Sequence, residues 1–212
     1  MKKIFFLFLI LLSFKSLEAQ WELNASMGMD FKSVPSLRDY INSGFSNPGD
    51  QFASFKSAVN FSGEADYGLK PNFQIGFEYS YQIDSYNTPL GSGGVYELSY
   101  SNHRPTVMAY YVIPGPGYQF KFGGGAGYRY ASLNERIVSS TNHSFSGFGL
   151  VLRALGNTML GKNFYALVGF DLRYDVLSQN SNSNMIINRT NGENVNLNSV
   201  SVGVLLGITF TL

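Results

Sequence analysis

Residues 73–84 read FQIGFEYSYQID, and that alternation is the strongest constraint in the chain. Phe73, Ile75, Phe77, Tyr79, Tyr81 and Ile83 take every second position, with Gln74, Gly76, Glu78, Ser80, Gln82 and Asp84 between them. A period of two over this length is a β-strand with one apolar and one polar face. The pattern alone does not say which face is enclosed. A soluble sandwich or lipocalin-like fold buries the aromatics. A transmembrane barrel turns them to lipid and encloses the polar side.

The same period recurs along the chain, bounded by turn residues. It predicts strands at 21–31, 55–69, 73–86, within 95–113, and at 118–132, about 146–157, 164–176 and 195–212. Asn102-His103-Arg104-Pro105 interrupts the fourth and predicts a bulge or an extension beyond the main sheet. Ser36 is placed to cap a short helix presenting Leu37, Tyr40 and Ile41 on one side. Short connections (70–72, 114–117, about 158–163) alternate with long ones (33–54, 87–94, 133–145, 178–194). An up-and-down barrel with one decorated end predicts that alternation; a Greek-key sandwich does not.

The chain opens MKKIFFLFLILLSFKSLEAQ: basic Lys2 and Lys3, an apolar run from Ile4 to Leu12, then Leu17-Glu18-Ala19 as a cleavage site. This reads as a secretory signal peptide over 1–19, leaving 20–212 as the mature domain. Loss of Lys2, Lys3, Lys15 and Glu18 with it takes the formal charge from +1 to −1. A chain so close to neutral offers nucleic acid no electrostatic attraction. With no cysteine there is no disulfide and no lipid-carrying residue after the signal. With two histidines besides, a structural metal is not expected, and no cofactor is implied. No mature segment has the ~20 apolar residues of a membrane-spanning helix.

Glycine and aromatic placement decide between the two orientations. The polar face carries Gly28, Gly76, Gly123, Gly125, Gly127, Gly149, Gly169, Gly203 and Gly207. A solvated strand face gains nothing from glycine, which weakens strands. The interior of an eight-stranded barrel is barely wide enough for side chains, and glycine there makes room for its neighbours. On the apolar face Trp21, Tyr67, Phe73, Tyr110, Tyr118, Phe164 and Phe210 form a band at the short-turn end. Phe31, Phe55, Tyr81, Tyr130, Phe148 and Tyr174 form a second band nearer the long loops. Two such bands separated by aliphatic residues match the girdles of transmembrane barrels. The fold expected is an eight-stranded antiparallel up-and-down transmembrane β-barrel.

With its signal peptide, the GGGAGYRY stretch at 123–130 and the terminal VSVGVLLGITFTL, the chain resembles the small outer-membrane β-barrels of Gram-negative bacteria, the OmpA/OmpX/OmpW-like group. The resemblance implies the outer membrane, contact with its lipid and lipopolysaccharide, and a last strand read by the barrel-assembly machinery. Phe210 is followed by Thr211 and Leu212, so the usual terminal Phe is displaced by two residues but keeps its lipid-facing parity. The resemblance leads to the expectation of a barrel alone, without the peptidoglycan-binding domain that follows some such barrels.

The polar face also carries charges of both signs. Residue counting from the short-turn end sets Glu64, Glu78, Lys121, Arg153 and Asp171 at similar depth, with Glu64 opposite Glu78. Facing carboxylates need cations, and Lys121 and Arg153 are the candidates. With Arg129 and Arg173 these residues make an expected interior ion-pair network that closes the barrel. The expected role is then structural, or one of surface interaction with an extracellular ligand through the long loops. A narrow passive channel gated by the same cluster is the alternative. A lipid A-modifying enzyme is disfavoured. His143-Ser144 invites the thought, but Phe145 stands where the deacylase H-x-S spacing needs serine, and His103 has no evident serine partner. In the loop, Met185, Ile186 and Ile187 form an apolar patch suited to a partner or to packing on the 33–54 segment.

Overall fold

The structure is a computed structural model that describes residues 21–45, 51–54, 56–90, 94–180, 185–188 and 192–212. Residues 1–19, expected to be a signal peptide, Phe55 and part of the 178–194 loop fall outside these residues. Eight strands run in chain order: β1 (Trp21–Ser33), β2 (Lys56–Lys70), β3 (Phe73–Pro89), β4 (Val95–Gly115), β5 (Tyr118–Arg136), β6 (Ser140–Met159), β7 (Phe164–Gln179) and β8 (Ser199–Thr211). Each pairs antiparallel with the next, and β8 returns to β1 to close the ring. This is the expected up-and-down barrel. Closure removes the sheet edges that would otherwise expose unpaired backbone groups.

The aromatic face is outside. Phe77, Phe120 and Phe170 are each about half exposed rather than gathered in a core. Hydrocarbon can cover such a surface and water cannot do so without cost. From Tyr118 to Tyr130 the belt is roughly 30 Å tall at the rise and tilt of such strands. Inside, the glycines stand where side chains cross. A Cβ on Gly76 would overlap Asp66, one on Gly203 would overlap Asp30, and one on Gly149 would overlap Asp175 and Arg129.

Two local expectations are corrected, and a third is settled between its alternatives. β4 is one uninterrupted strand of 21 residues without a bulge, and it takes the other alternative, an extension beyond the shorter strands. Its pairing with β5 lapses between His103 and Val107, where Pro105 has no N–H to give, and resumes in the same register. The long 133–145 connection is absent, because β5 and β6 run on to Arg136 and Ser140 and pair to the end. The helix α1 (Pro35–Gly44) does bury Leu37, Tyr40 and Ile41, but Ser36 does not cap it. Pro35 starts the helix instead, and the Ser36 hydroxyl accepts the Asn196 amide at 3.1 Å.

β3 to β6 reach well beyond the shorter β1, β2 and β8 at the long-loop end, and there the polarity of the alternation inverts. Inward positions become apolar: Tyr96, Leu98 and Tyr100 on β4, Leu133 on β5, Phe145 on β6, Leu177 on β7. Outward positions become polar, as at Ser85, Ser99, Asn142 and Ser178. The inward residues pack with Leu37, Tyr40 and Ile41 of α1 and with Ile186, Val195 and Leu197 into one apolar cap. Met185 and Ile187 stay half exposed. The loop patch thus sends its middle residue inward.

Candidate functional site: the charged lumen and its apolar cap

Inward-pointing residues of seven of the strands place a tier of charged side chains within the belt, buried despite their polarity. Arg153 on β6 is its centre. Its guanidinium donates to Glu64 at 2.6 Å, to Glu78 at 2.5 Å and to both Asp171 oxygens at 2.6 and 2.9 Å. Arg173 donates to Glu78 at 2.8 Å and to Asp171 at 2.6 Å. Glu64 and Glu78 are direct cross-strand partners, so Arg153 answers the repulsion that this register creates. Planar forked donors suit such bridging between carboxylates better than an ammonium would.

Two residues of the sequence-derived set lie in other clusters. Lys121 sits nearer the short turns, paired with Glu22 and with Asp66 at 2.9 Å. Gln74 and Gln119 also donate to Glu22, and Asn24 to Asp66. Arg129 sits nearer the cap, donating to Asp175 at 2.6 Å. Sequence reasoning passed over Arg104, which is fully buried and pairs with Asp30 at 3.0 Å. Its even position between Asn102 and Thr106 was the available signal. Reading that stretch as an interruption hid it.

Of the aromatic girdle, Trp21, Phe73, Tyr118 and Phe164 are exposed outside, and Tyr67 and Phe210 are partly so. Tyr110 is the exception and is fully buried in the lumen. Outward parity on β4 belongs to Val107, Ala109, Tyr111 and Ile113, so the adjacent Tyr111 takes the girdle place. Tyr110 instead accepts from Arg153 at 3.4 Å and joins Met108, Val112, Val151, Leu155, Leu167 and Leu205. The lumen therefore holds an apolar patch, contributed by β4 and β6–β8, beside its charged tier.

The cap has its own polar anchor. Glu135 accepts the hydroxyls of Tyr40 on α1 at 2.8 Å and Tyr96 on β4 at 2.9 Å. Burial first, and the Glu135 charge next, hold the Tyr96 hydroxyl protonated well above its ordinary range. His143 lies inside, 3.6 Å from Glu135, whereas its neighbour Ser144 faces outward. They cannot act as a pair on one side of the wall. His103 is on the outer face, its Nδ1 2.6 Å from the Tyr79 hydroxyl. Among the described residues no acid, cysteine and histidine group has the makings of a metal site.

No protein-family model and no curated protein sequence matches the chain. Solved structures do. OprG of Pseudomonas aeruginosa aligns with a TM-score of 0.56 at 13% identity, over 92% of this chain and 96% of that one. Neisserial surface protein A gives 0.54 at 11% identity, over 91% and 97%. Ail of Yersinia pestis, in complex with the heparin analogue sucrose octasulfate, gives 0.51 at 12%, over 91% and 99%. What this chain shares with all three is the fold, and that fold is the eight-stranded β-barrel of the small outer-membrane proteins.

Proposed function

We propose that the mature chain, 20–212, is a non-catalytic outer-membrane barrel with a filled lumen, exported by the signal peptide 1–19. Its long-loop end faces outside the cell as a surface for interaction. Both chain ends then lie in the periplasm. The lipid-facing belt contacts membrane lipid and lipopolysaccharide, and the β8 strand with Phe210 is the segment offered to the barrel-assembly machinery.

What supports the reading is a buried charged tier inside the barrel with an apolar cap above it. Within the belt, Arg104, Lys121, Arg129, Arg153 and Arg173 are all 5% exposed or less and paired with acids. Above them α1 and the apolar cap fill the mouth. A conducting pore needs sites that ions enter and leave. Arginines locked between carboxylates do not provide them. The opposed directions of His143 and Ser144 argue against a lipid-modifying pair. A ligand role for the loops gains support from Ail, a protein of the same fold crystallised with a heparin analogue.

Planar-bilayer recording tests this. The purified barrel is expected to be silent. A steady wild-type conductance that Arg153→Ala abolishes or enlarges would establish the passive channel instead. Altered lipid A in an overexpressing strain would establish an enzyme.

A further inference from the structure

The outer face of the projecting β3–β6 wall is unlike a generic solvated strand. Across the four strands, Ser85 of β3 stands beside Ser99 of β4, Ser99 beside Asn134 of β5, and Asn134 beside Asn142 of β6. One row lower, Ser101, Ser132 and Ser144 stand side by side. These are hydroxyls and amides in register, cross-linked by hydrogen bonds such as Ser132 to Asn142 at 2.7 Å and Ser140 to Asn134 at 2.8 Å. Among the described residues of this face the only full charges are Glu97 and Arg136, which pair with each other at 3.4 Å. The face is therefore hydrogen-bonding and electrically neutral.

At its foot lies a shelf of rings. Tyr81, His103 and Tyr130 are consecutive partners across β3, β4 and β5. The Tyr81 and His103 centroids are 4.8 Å apart and those of His103 and Tyr130 6.3 Å, each pair inclined by about 40°. Tyr79 fixes the imidazole from below. The shelf is the upper edge of the lipid-facing belt, so the polar wall begins where hydrocarbon ends. Tyrosines with polar tips are suited to that level.

We propose that this wall is a docking surface for the neutral sugar headgroups of glycolipids in the leaflet that surrounds the barrel. The inference rests on the transmembrane reading of the belt. Paired hydroxyls and amides match the alternating donors and acceptors of a pyranose, and the rings offer its C–H face an apolar floor. Neutrality selects a polyol rather than a phosphate, which would call for unpaired cations. Continuity with the belt selects a headgroup held by its own acyl chains beside the wall. Anchoring supplies the effective concentration that weak sugar contacts need.

The test uses the mature chain in nanodiscs of phosphatidylcholine alone, with digalactosyl diacylglycerol, or with phosphatidylglycerol. The thermal midpoint is expected to rise by several degrees in the galactolipid discs only. Ser99→Glu with Ser132→Glu, both changes outside the barrel, removes the rise and leaves the midpoint in plain discs unchanged. Tyr130→Leu, which keeps the lipid contact and removes the ring, reduces the rise and serves if the double variant fails to fold. Equal midpoints in all three discs, or a rise with phosphatidylglycerol as large as with galactolipid, would overturn the proposal. So would a rise when free digalactose is added to plain discs, since that assigns the wall to a soluble sugar. A barrel that is silent in bilayers yet shows no galactolipid effect overturns this inference alone and leaves the filled-lumen reading standing.

Discussion

Within the belt, the charged residues of the strands point inward and the residues that point outward are greasy. A few positions higher on the same strand, the reverse holds. On β4 the inward series runs from Thr106 and Arg104 to Tyr100, Leu98 and Tyr96, while the outward series runs from Val107 to Ser99 and Glu97. The backbone is continuous and the parity never changes; what changes is the medium outside. Where hydrocarbon surrounds the barrel, the interior is the place for polar groups, and they must satisfy one another. Where water surrounds it, the interior becomes an ordinary hydrophobic core. The molecule is a membrane protein below and a small water-facing domain above, the upper tier being built from the longer strands and α1.

The contrast predicts different responses in the two tiers. The largest effect is expected at Arg153, whose removal leaves Glu64, Glu78 and Asp171 facing one another with only Arg173 beside them. Arg153→Ala should cost about 3–5 kcal/mol, read as a lower urea midpoint in lipid vesicles. Adding Glu78→Gln should restore part of that loss. Phe77→Arg, on the belt, should cost about 2–4 kcal/mol if the side chain lies near mid-bilayer, measured the same way. A core substitution in the cap, Ile41→Ala, should cost about 2–4 kcal/mol, but locally. Limited proteolysis should then cut near α1 while the barrel keeps its heat-modifiable gel shift. Glu135→Gln weakens the hydrogen bonds that Tyr40 and Tyr96 donate and should act in the same direction by about 1 kcal/mol. The smallest effect is expected at Ser99→Lys, within about 0.5 kcal/mol, although it too puts a charge on the outer face.

Much of the lower tier was legible because period and medium agree there. Parity marks the outward side of every strand but β4, and residue counting places Glu64 against Glu78. Tyr110 was misplaced because two tyrosines stand side by side, and only the neighbouring Arg104 and Thr106 settle which one is inside. Counting depth could not assign each cation to an acid. Lys121 and Arg129 stand on the same strand as candidates for one network yet reach Asp66 and Asp175 in different ones. The upper tier was hidden for a physical reason. Asn134, Asn142 and Ser144 resemble loop residues when an apolar outside is expected, so two paired strand ends read as one long connection. Val195 and Leu197 show the inversion in the same way, lying off the apolar parity of β8 and buried within the cap.

The chain has no cysteine, so single cysteines can be introduced and spin-labelled without background. Labels at Phe77, Phe120 and Phe170, and at Ser99, Ser132 and Ser144, can be compared in bilayers for collision with oxygen and with a water-soluble nickel complex. The account predicts oxygen dominance at the three phenylalanine positions and nickel dominance at the three serine positions. Nickel access at the phenylalanines, or oxygen dominance at the serines, would contradict it.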